Sequence, residues 1–260
     1  TFSKLDRSVR DILLEVVLGC ERPSPPALDA LVSRILAFDD AATNGAALCT
    51  MCGDVLGYAR AEEQCPACVR SRGGPEELVC LGGYTSGLGV LLSTAKYGRW
   101  PEVLHVLGGR LGVVACATFG SRVEPPILVP MPMPLLRRWH RGINHARELA
   151  DAVSTVSGWE CAPLLRRGWE ATQVGASRSQ RPRGARSIRP AWFGAKRMKG
   201  RTIVLVDDVR TSGTSLARAS RWCRRLGAAK VVAAVVAVRR RVEESGIKSA
   251  HRANESELWT

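Results

Sequence analysis

The segment Ile203-Val-Leu-Val206-Asp207-Asp208-Val209-Arg210-Thr211-Ser212-Gly213-Thr214-Ser215 decides the fold. Four aliphatic residues and two carboxylates precede a turn of hydroxyl residues around one glycine. Leu216, Ala219, Trp222, Cys223 and Leu226 then recur at helical spacing. A short unbroken apolar run reads as a strand buried on both faces, here Thr202–Val206, and the following period reads as a helix over Ser215–Leu226. A second apolar run at Val231–Val238 completes a strand–helix–strand unit, which predicts an α/β fold with a mostly parallel sheet.

The chemistry follows from that placement. At the carboxyl edge of a parallel sheet, Asp207 and Asp208 can accept hydrogen bonds from vicinal sugar hydroxyls or position hydrated Mg2+. Thr211, Ser212, Gly213, Thr214 and Ser215 can wrap a phosphate with backbone N–H groups and hydroxyls at the positive end of the helix. Gly213 keeps a Cβ out of the anion's way. Acids for a ribose beside a cradle for its 5′-phosphate make a ribose-5-phosphate site. The plainer reading is a strand that ends in a solvated acidic turn before an ordinary N-cap at Thr214 or Ser215.

Working outward, residues 7–18 and 27–38 carry apolar positions at helical spacing, with Pro25-Pro26 where a first helical turn tolerates proline. We read residues 1–45 as a helical N-terminal segment and Ser71–Glu76 as a linker. Leu78–Leu81 and Ile127–Val129 read as strands, and Leu88–Ala95, Glu102–Leu111 and Asn144–Val156 as helices. The expected organisation is a small module at 46–70, an α/β domain at 77–242 and a tail at 243–260. Residues 170–190 have little apolar content and read as a basic loop.

Residues 46–70 hold Cys49-Thr-Met-Cys52-Gly53 and, twelve residues after Cys52, Cys65-Pro-Ala-Cys68. Two residues between thiolates let a tight turn aim both sulfurs at one ion, and two such turns supply a closed tetrahedral Zn2+ site. Gly53 suits the positive φ that such a turn needs. A segment this short has almost no core, so the metal would supply its folding energy and no catalysis. Cys20, Cys80, Cys116, Cys161 and Cys223 are scattered and read as small buried hydrophobes.

The net charge of +14 is unevenly held. Residues 1–129 carry 12 basic and 14 acidic side chains, a net −2, and residues 130–260 carry 26 and 10, a net +16. Charge confined to one half points to an anionic ligand or partner there. No run approaches the roughly eighteen apolar residues of a membrane span. Paired thiols at metal spacing fit a reducing compartment, and we expect a cytoplasmic protein.

The thirteen residues from Ile203 resemble the phosphoribosyl-pyrophosphate (PRPP) motif of type I phosphoribosyltransferases, with Arg210 and Ser212 as variants of the usual pattern. Val129-Pro-Met-Pro132 with Arg137-Arg138-Trp-His-Arg141-Gly-Ile-Asn-His145 is similar to a sequence block of ComF-type competence proteins. Lys96-Tyr97-Gly98 and Gln173 resemble further elements of that family. His145 stands where its members carry Gln, and Ser187 where Asn is expected. The resemblance implies a type I phosphoribosyltransferase-like sheet with helices on both faces, preceded by a zinc-ribbon-like module. It implies that Asp207 and Asp208 contact the ribose of PRPP or a phosphoribosyl nucleotide, and that Mg2+ accompanies it. A loop holding Arg137, Arg138 and Arg141 suits pyrophosphate, because guanidinium groups and a helix start both favour it. The basic stretch with Arg181, Arg183 and Arg186 corresponds to a hood over the active site; a self-repelling open loop and a nucleic-acid backbone contact are its other readings.

Two function classes stay open at this point. One is phosphoribosyl transfer to an acceptor that no residue pattern identifies. The other is a non-catalytic nucleotide-sensing or single-stranded-DNA-handling factor in DNA uptake. Trp139, Trp169 and Trp192 lie among the arginines, as stacking residues would.

Overall fold

A computed structural model describes residues 24–43, 47–57, 64–70, 73–84, 86–97, 100–120, 124–133, 143–167 and 188–239. In chain order the elements are α1 (Pro25–Thr43), β1 (Ala47–Leu48), β2 (Val55–Gly57), α2 (Pro66–Arg70), β3 (Leu78–Gly83), α3 (Ser86–Tyr97) and α4 (Pro101–Phe119). They continue with β4 (Ile127–Pro130), α5 (His145–Ser157), β5 (Leu165–Arg167), β6 (Ile188–Pro190), α6 (Gly194–Met198), β7 (Thr202–Arg210), α7 (Thr214–Arg225) and β8 (Lys230–Val238). The expected helix at 7–18 and tail at 243–260 lie outside the described residues.

Four strands form one parallel sheet in the order β3-β8-β7-β4. Alternate residues of its central strands face opposite layers, and both layers are apolar. Val204, Val206, Val232, Ala234 and Val236 pack with α1, α3, α4 and α5, whereas Ile203, Leu205, Val231, Ala233 and Val235 pack with α7 and the β5–β6 region. Helices on both faces explain why these strands are unbroken Val/Ile/Leu/Ala runs.

Helices α4 and α5 cross closely because α4 presents glycine. A Cβ on Gly108 would stand 2.6 Å from the Ala152 Cβ and 2.9 Å from the Leu149 carbonyl oxygen. Helix α4 is long and apolar enough to cross a membrane. Its Leu104, Leu107, Leu111 and Phe119 are instead buried in the core against α5 and the sheet. Helix α1 belongs to the same core through Leu28, Leu31, Val32 and Ile35, and Arg110 of α4 clasps Asp29 through two nitrogens.

The elements outrun their expected bounds in three informative places. Helix α4 continues from Leu111 to Phe119 because Ala115 and Phe119 extend the same buried stripe. Strand β7 does not stop at Val206. It runs to Arg210, because β8 keeps pairing with it, Asp207 opposite Val235 and Arg210 opposite Val238. Finally, Ile188–Pro190 is not part of a basic loop. It forms the antiparallel strand β6 with β5, and Ile188 is buried under it.

Candidate functional site

Strand β4 pairs with β7 only as far as Pro130 opposite Val206, where the Met131 N–H donates to the Val206 carbonyl at 2.8 Å. Beyond that point β7 projects past β4, and Asp207 and Asp208 occupy the projection. The two acids therefore sit within the strand's last turn of pairing, at the carboxyl edge of the sheet, where ligands of open α/β sheets bind.

Asp207 and Asp208 have different surroundings. The Asp208 N–H donates to Asp207 Oδ1 at 3.0 Å. Asp208 Oδ2 lies 2.6 Å from Lys96 Nζ on α3, with side chains only 18% and 15% exposed. Burial, and then the neighbouring Asp208 charge, push the Asp207 carboxyl up to about 7. The Asp208 N–H, Lys96 and Arg167 oppose that rise. One acid is thus held as an ion pair and the other is poised to gain or lose a proton near neutrality, a combination typical of functional sites.

The turn behind the acids has the shape expected of a phosphate cradle. Gly213 adopts φ +71, a left-handed conformation that suits glycine, and caps α7, whose first residue is Thr214. Thr211, Ser212, Thr214 and Ser215 are exposed, with the Ser212 and Thr214 hydroxyls 3.0 Å apart. Four hydroxyls are exposed together at the start of a helix, where the Thr214 N–H donates to Ser212 Oγ at 3.5 Å, and a helix N-terminus favours an anion.

The basic loops are only partly in view. Arg137, Arg138 and Arg141, and likewise Arg181, Arg183 and Arg186, lie outside the described residues. Their anchors do not. The 134–142 segment leaves β4 at the acid-bearing edge and returns at Ile143 and Asn144, the N-cap of α5. The 168–187 segment is bracketed by the β5–β6 ladder. Arg167, at its base, donates from Nε to the Pro132 carbonyl at 2.9 Å, so the stems of the two segments touch. His145 is fully buried at the start of α5.

Cys49, Cys52, Cys65 and Cys68 place all four sulfurs within 4.8 Å of one another. Cys52 and Cys65 Sγ are 3.7 Å apart, close to the roughly 3.8 Å edge of a tetrahedron with Zn–S bonds near 2.3 Å. The Cys65 N–H donates to Cys49 Sγ at 3.2 Å, as it would to a ligating thiolate. Gly53 has φ +70, as the turn requires. This cluster could hold a metal ion, and its donor set fits zinc. Burial pushes the Cys52 thiol up and that of Cys68 up to about 12, so a cation is what would ionise them. Of the scattered cysteines, Cys223 is buried, Cys80, Cys116 and Cys161 are partly so, and Cys20 lies outside the described residues. Burial pushes Cys161 and Cys223 up to about 12, which keeps them inert.

Three further side chains belong to the site and were not singled out by sequence reasoning as site residues. Lys96 and Arg167 are described above. The third is Asp54, whose Oδ2 lies 3.4 Å from Arg210 Nη1. A cavity of about 270 Å³ separates the cysteine module from the turn, lined by Met51, Cys52, Cys68, Arg210, Ser212 and Thr214 among others.

Comparison with known proteins agrees with this geometry. The phosphoribosyl transferase domain family matches residues 167–256, and with the all-parallel sheet it defines a type I phosphoribosyltransferase-like domain beside a four-cysteine cluster. The DNA utilization protein YhgH of Escherichia coli K12 is 29% identical over 189 residues, 71% of this chain and 81% of that protein. Competence protein F of Haemophilus influenzae is 26% identical over 191 residues, 70% of this chain and 81% of that protein. These matches support the resemblance of the chain to ComF-type competence proteins. Among solved structures, an allosteric regulatory enzyme of purine biosynthesis aligns over 50% of this chain and 25% of its own, with 20% identity and a TM-score of 0.34. The protein TT1426 from Thermus thermophilus aligns over 56% of this chain and 87% of its own, with 18% identity and a TM-score of 0.32.

Proposed function

We propose that this chain binds PRPP, or a phosphoribosyl nucleotide, together with Mg2+ at the β7–α7 edge. The domain at 77–242 would carry the site, with a zinc-loaded module at 46–70 beside it, in the cytoplasm. One observation carries the reading: two partly buried acids on a projecting strand end stand next to a hydroxyl-rich turn whose Gly213 has positive φ. In this reading Asp207 and Asp208 orient the ribose and its hydrated Mg2+, and Thr211–Ser215 hold the 5′-phosphate. Arg137, Arg138 and Arg141, together with Arg181, Arg183 and Arg186, neutralise the pyrophosphate. The reaction class the site suits is phosphoribosyl transfer. The C1–oxygen bond to pyrophosphate breaks through an oxocarbenium-like state, and an acceptor nucleophile bonds to C1 and releases its proton. Fixed positive charge aimed at the leaving group is the largest contribution a protein makes to such a step.

Calorimetric titration with PRPP and Mg2+ tests the reading. Wild type is expected to bind, and the paired change Asp207→Asn with Asp208→Asn to weaken binding by at least about a hundredfold, as loss of two charge-assisted contacts implies. Absence of binding by wild type overturns it.

A second reading is favoured by a separate observation. Trp192 is 99% exposed and Phe193 54% exposed, between Arg189 and the exposed Lys196 and Arg197. Open aromatic faces among basic side chains suit stacking of unpaired bases, and competence and DNA utilization are what the relatives are named for. Single-stranded DNA is expected to bind with an affinity that falls steeply with salt. Trp192→Ala is expected to weaken it about tenfold at fixed salt. An affinity indifferent to both salt and Trp192 rules this reading out.

A further inference from the structure

The four-cysteine module is built onto the sheet beside the phosphate turn. The Leu78 N–H that opens β3 donates to the Thr50 carbonyl at 2.7 Å. A Cβ on Gly53 would meet the Val238 Cγ2 at 2.9 Å and the Leu78 Cδ2 at 3.5 Å, so the knuckle's backbone packs closely against side chains of β3 and β8. The next residue is Asp54. Its carbonyl accepts the Cys49 N–H at 2.8 Å, which fixes it to the knuckle. Its carboxylate reaches out of the module to Arg210, 3.4 Å away, with the two side chains only 13% and 10% exposed.

Arg210 joins that carboxylate to the turn. It is the last residue of β7, and its carbonyl accepts the Arg239 N–H at 2.8 Å, so its main chain is part of the sheet. Its guanidinium runs beneath Gly213: a Cβ there would stand 3.3 Å from Arg210 Nε and 3.6 Å from Nη2. The same charge acts on Cys52. Four thiolates around a divalent ion leave a net −2, so a metal-loaded module is a strong anion facing this arginine. Arg210 therefore lies between the turn at Gly213 and the Asp54 carboxylate of the module.

We propose that Asp54 and Arg210 form a latch through which the four-cysteine module holds the phosphate turn in its binding geometry. Arg210 is a positioning residue: it supports Gly213 from below, and Asp54 fixes where it lies. The inference rests on the phosphoribosyl reading for its consequence in ligand affinity, and stands apart from that reading for its consequence in the turn itself. It makes the affinity for a ribose 5-phosphate ligand depend on an intact module some 156 residues away in sequence. A largely buried ion pair is well suited to this, because each charge fixes where the other lies.

Three variants of the full chain, Asp54→Asn, Arg210→Met and the double change, test the latch against wild type. Metal content, amide exchange over residues 210–217 without ligand, and PRPP–Mg2+ affinity are the measurements. The expected result is a retained metal, faster exchange over 210–217 in every variant, and affinity about tenfold weaker in each. The double variant should be no worse than the poorer single, since the two residues act as one unit. Unchanged exchange in Arg210→Met, which lies outside the module, overturns the latch, whatever Asp54→Asn does to the metal. An effect of Arg210→Met with none from a metal-loaded Asp54→Asn overturns it too. If wild type binds no PRPP, the phosphoribosyl reading falls, while the exchange data still judge the latch.

Discussion

Cys52→Ser is expected to strip the protein of its metal and to unfold the module it holds, while leaving the sheet intact. The reason lies in how little else the module has. Its apolar cluster consists of Cys49, Cys52 and Leu56, with Met51, Cys65 and Cys68 packed against it. Four of those six residues are the ligands themselves. Strands β1 and β2 pair across two register positions with an irregularity between them, which cannot offset the chain entropy of ordering some twenty residues. Structural zinc contributes about 10–16 kcal/mol in comparable small modules at neutral pH. The sheet has its own core on both faces and does not depend on it. Metal analysis should therefore find one ion per wild-type chain and essentially none in Cys52→Ser, with far-UV circular dichroism nearly unchanged. Because burial raises the Cys52 and Cys68 thiols, each ion bound must displace protons, and affinity is expected to fall as pH falls. Full metal retention by Cys52→Ser, or wild type that neither carries nor takes up zinc, contradicts the assignment.

The elements legible in sequence were those whose chemistry is local. Cys49, Cys52, Cys65 and Cys68 have the spacing of a four-ligand metal site, and the structure gathers them. The apolar strand, the acids, the turn and the start of α7 are thirteen consecutive residues, so their order alone places the acids at one strand end. What a single strand cannot reveal is where its neighbour stops. Nothing in Ile203–Arg210 shows that β4 ends opposite Val206 while β8 continues to Val238, and that difference is what places Asp207 and Asp208 beyond the end of β4. The contacts of Lys96 with Asp208, Arg167 with Pro132 and Arg210 with Asp54 are also products of the assembled fold. Lys96 follows directly on the expected helix Leu88–Ala95, but Arg167 and Arg210 end no expected element, so nothing in the sequence marked all three. Lys96 was quoted for its resemblance to a family element; its ion pair with the acid is what gives it a role.

Replacing Asp207 with Asn is expected to make the ligand-free protein more stable at pH 8 while costing it PRPP binding. An acid whose carboxyl is raised from 3.8 to about 7 in the fold keeps its proton there at pH values where the unfolded chain has lost it. Stability is therefore unaffected by this group below about pH 4, falls as pH climbs from about 4 to 7, and carries the full cost above that. The displacement corresponds to at most about 4 kcal/mol. Solvent reaches part of the Asp207 side chain, so about half of that, roughly 2 kcal/mol, is the better expectation. For a chain of this size that is a rise in Tm of about 4–8 °C. Asparagine keeps the oxygen that accepts the Asp208 N–H, so no hydrogen bond need be lost. Asp208→Asn should gain less, because it forfeits the Lys96 ion pair. The stored cost has a use: Mg2+ or an ordered ribose that favours the carboxylate draws on it, so PRPP binding near pH 6.5 should release a proton, measurable by calorimetry in buffers of different ionisation enthalpy. Thermal unfolding of wild type and Asp207→Asn at pH 5 and pH 8 decides the matter. The gap between them must widen at the higher pH; a constant or reversed gap means that Asp207 is not held in the fold at the expense of stability.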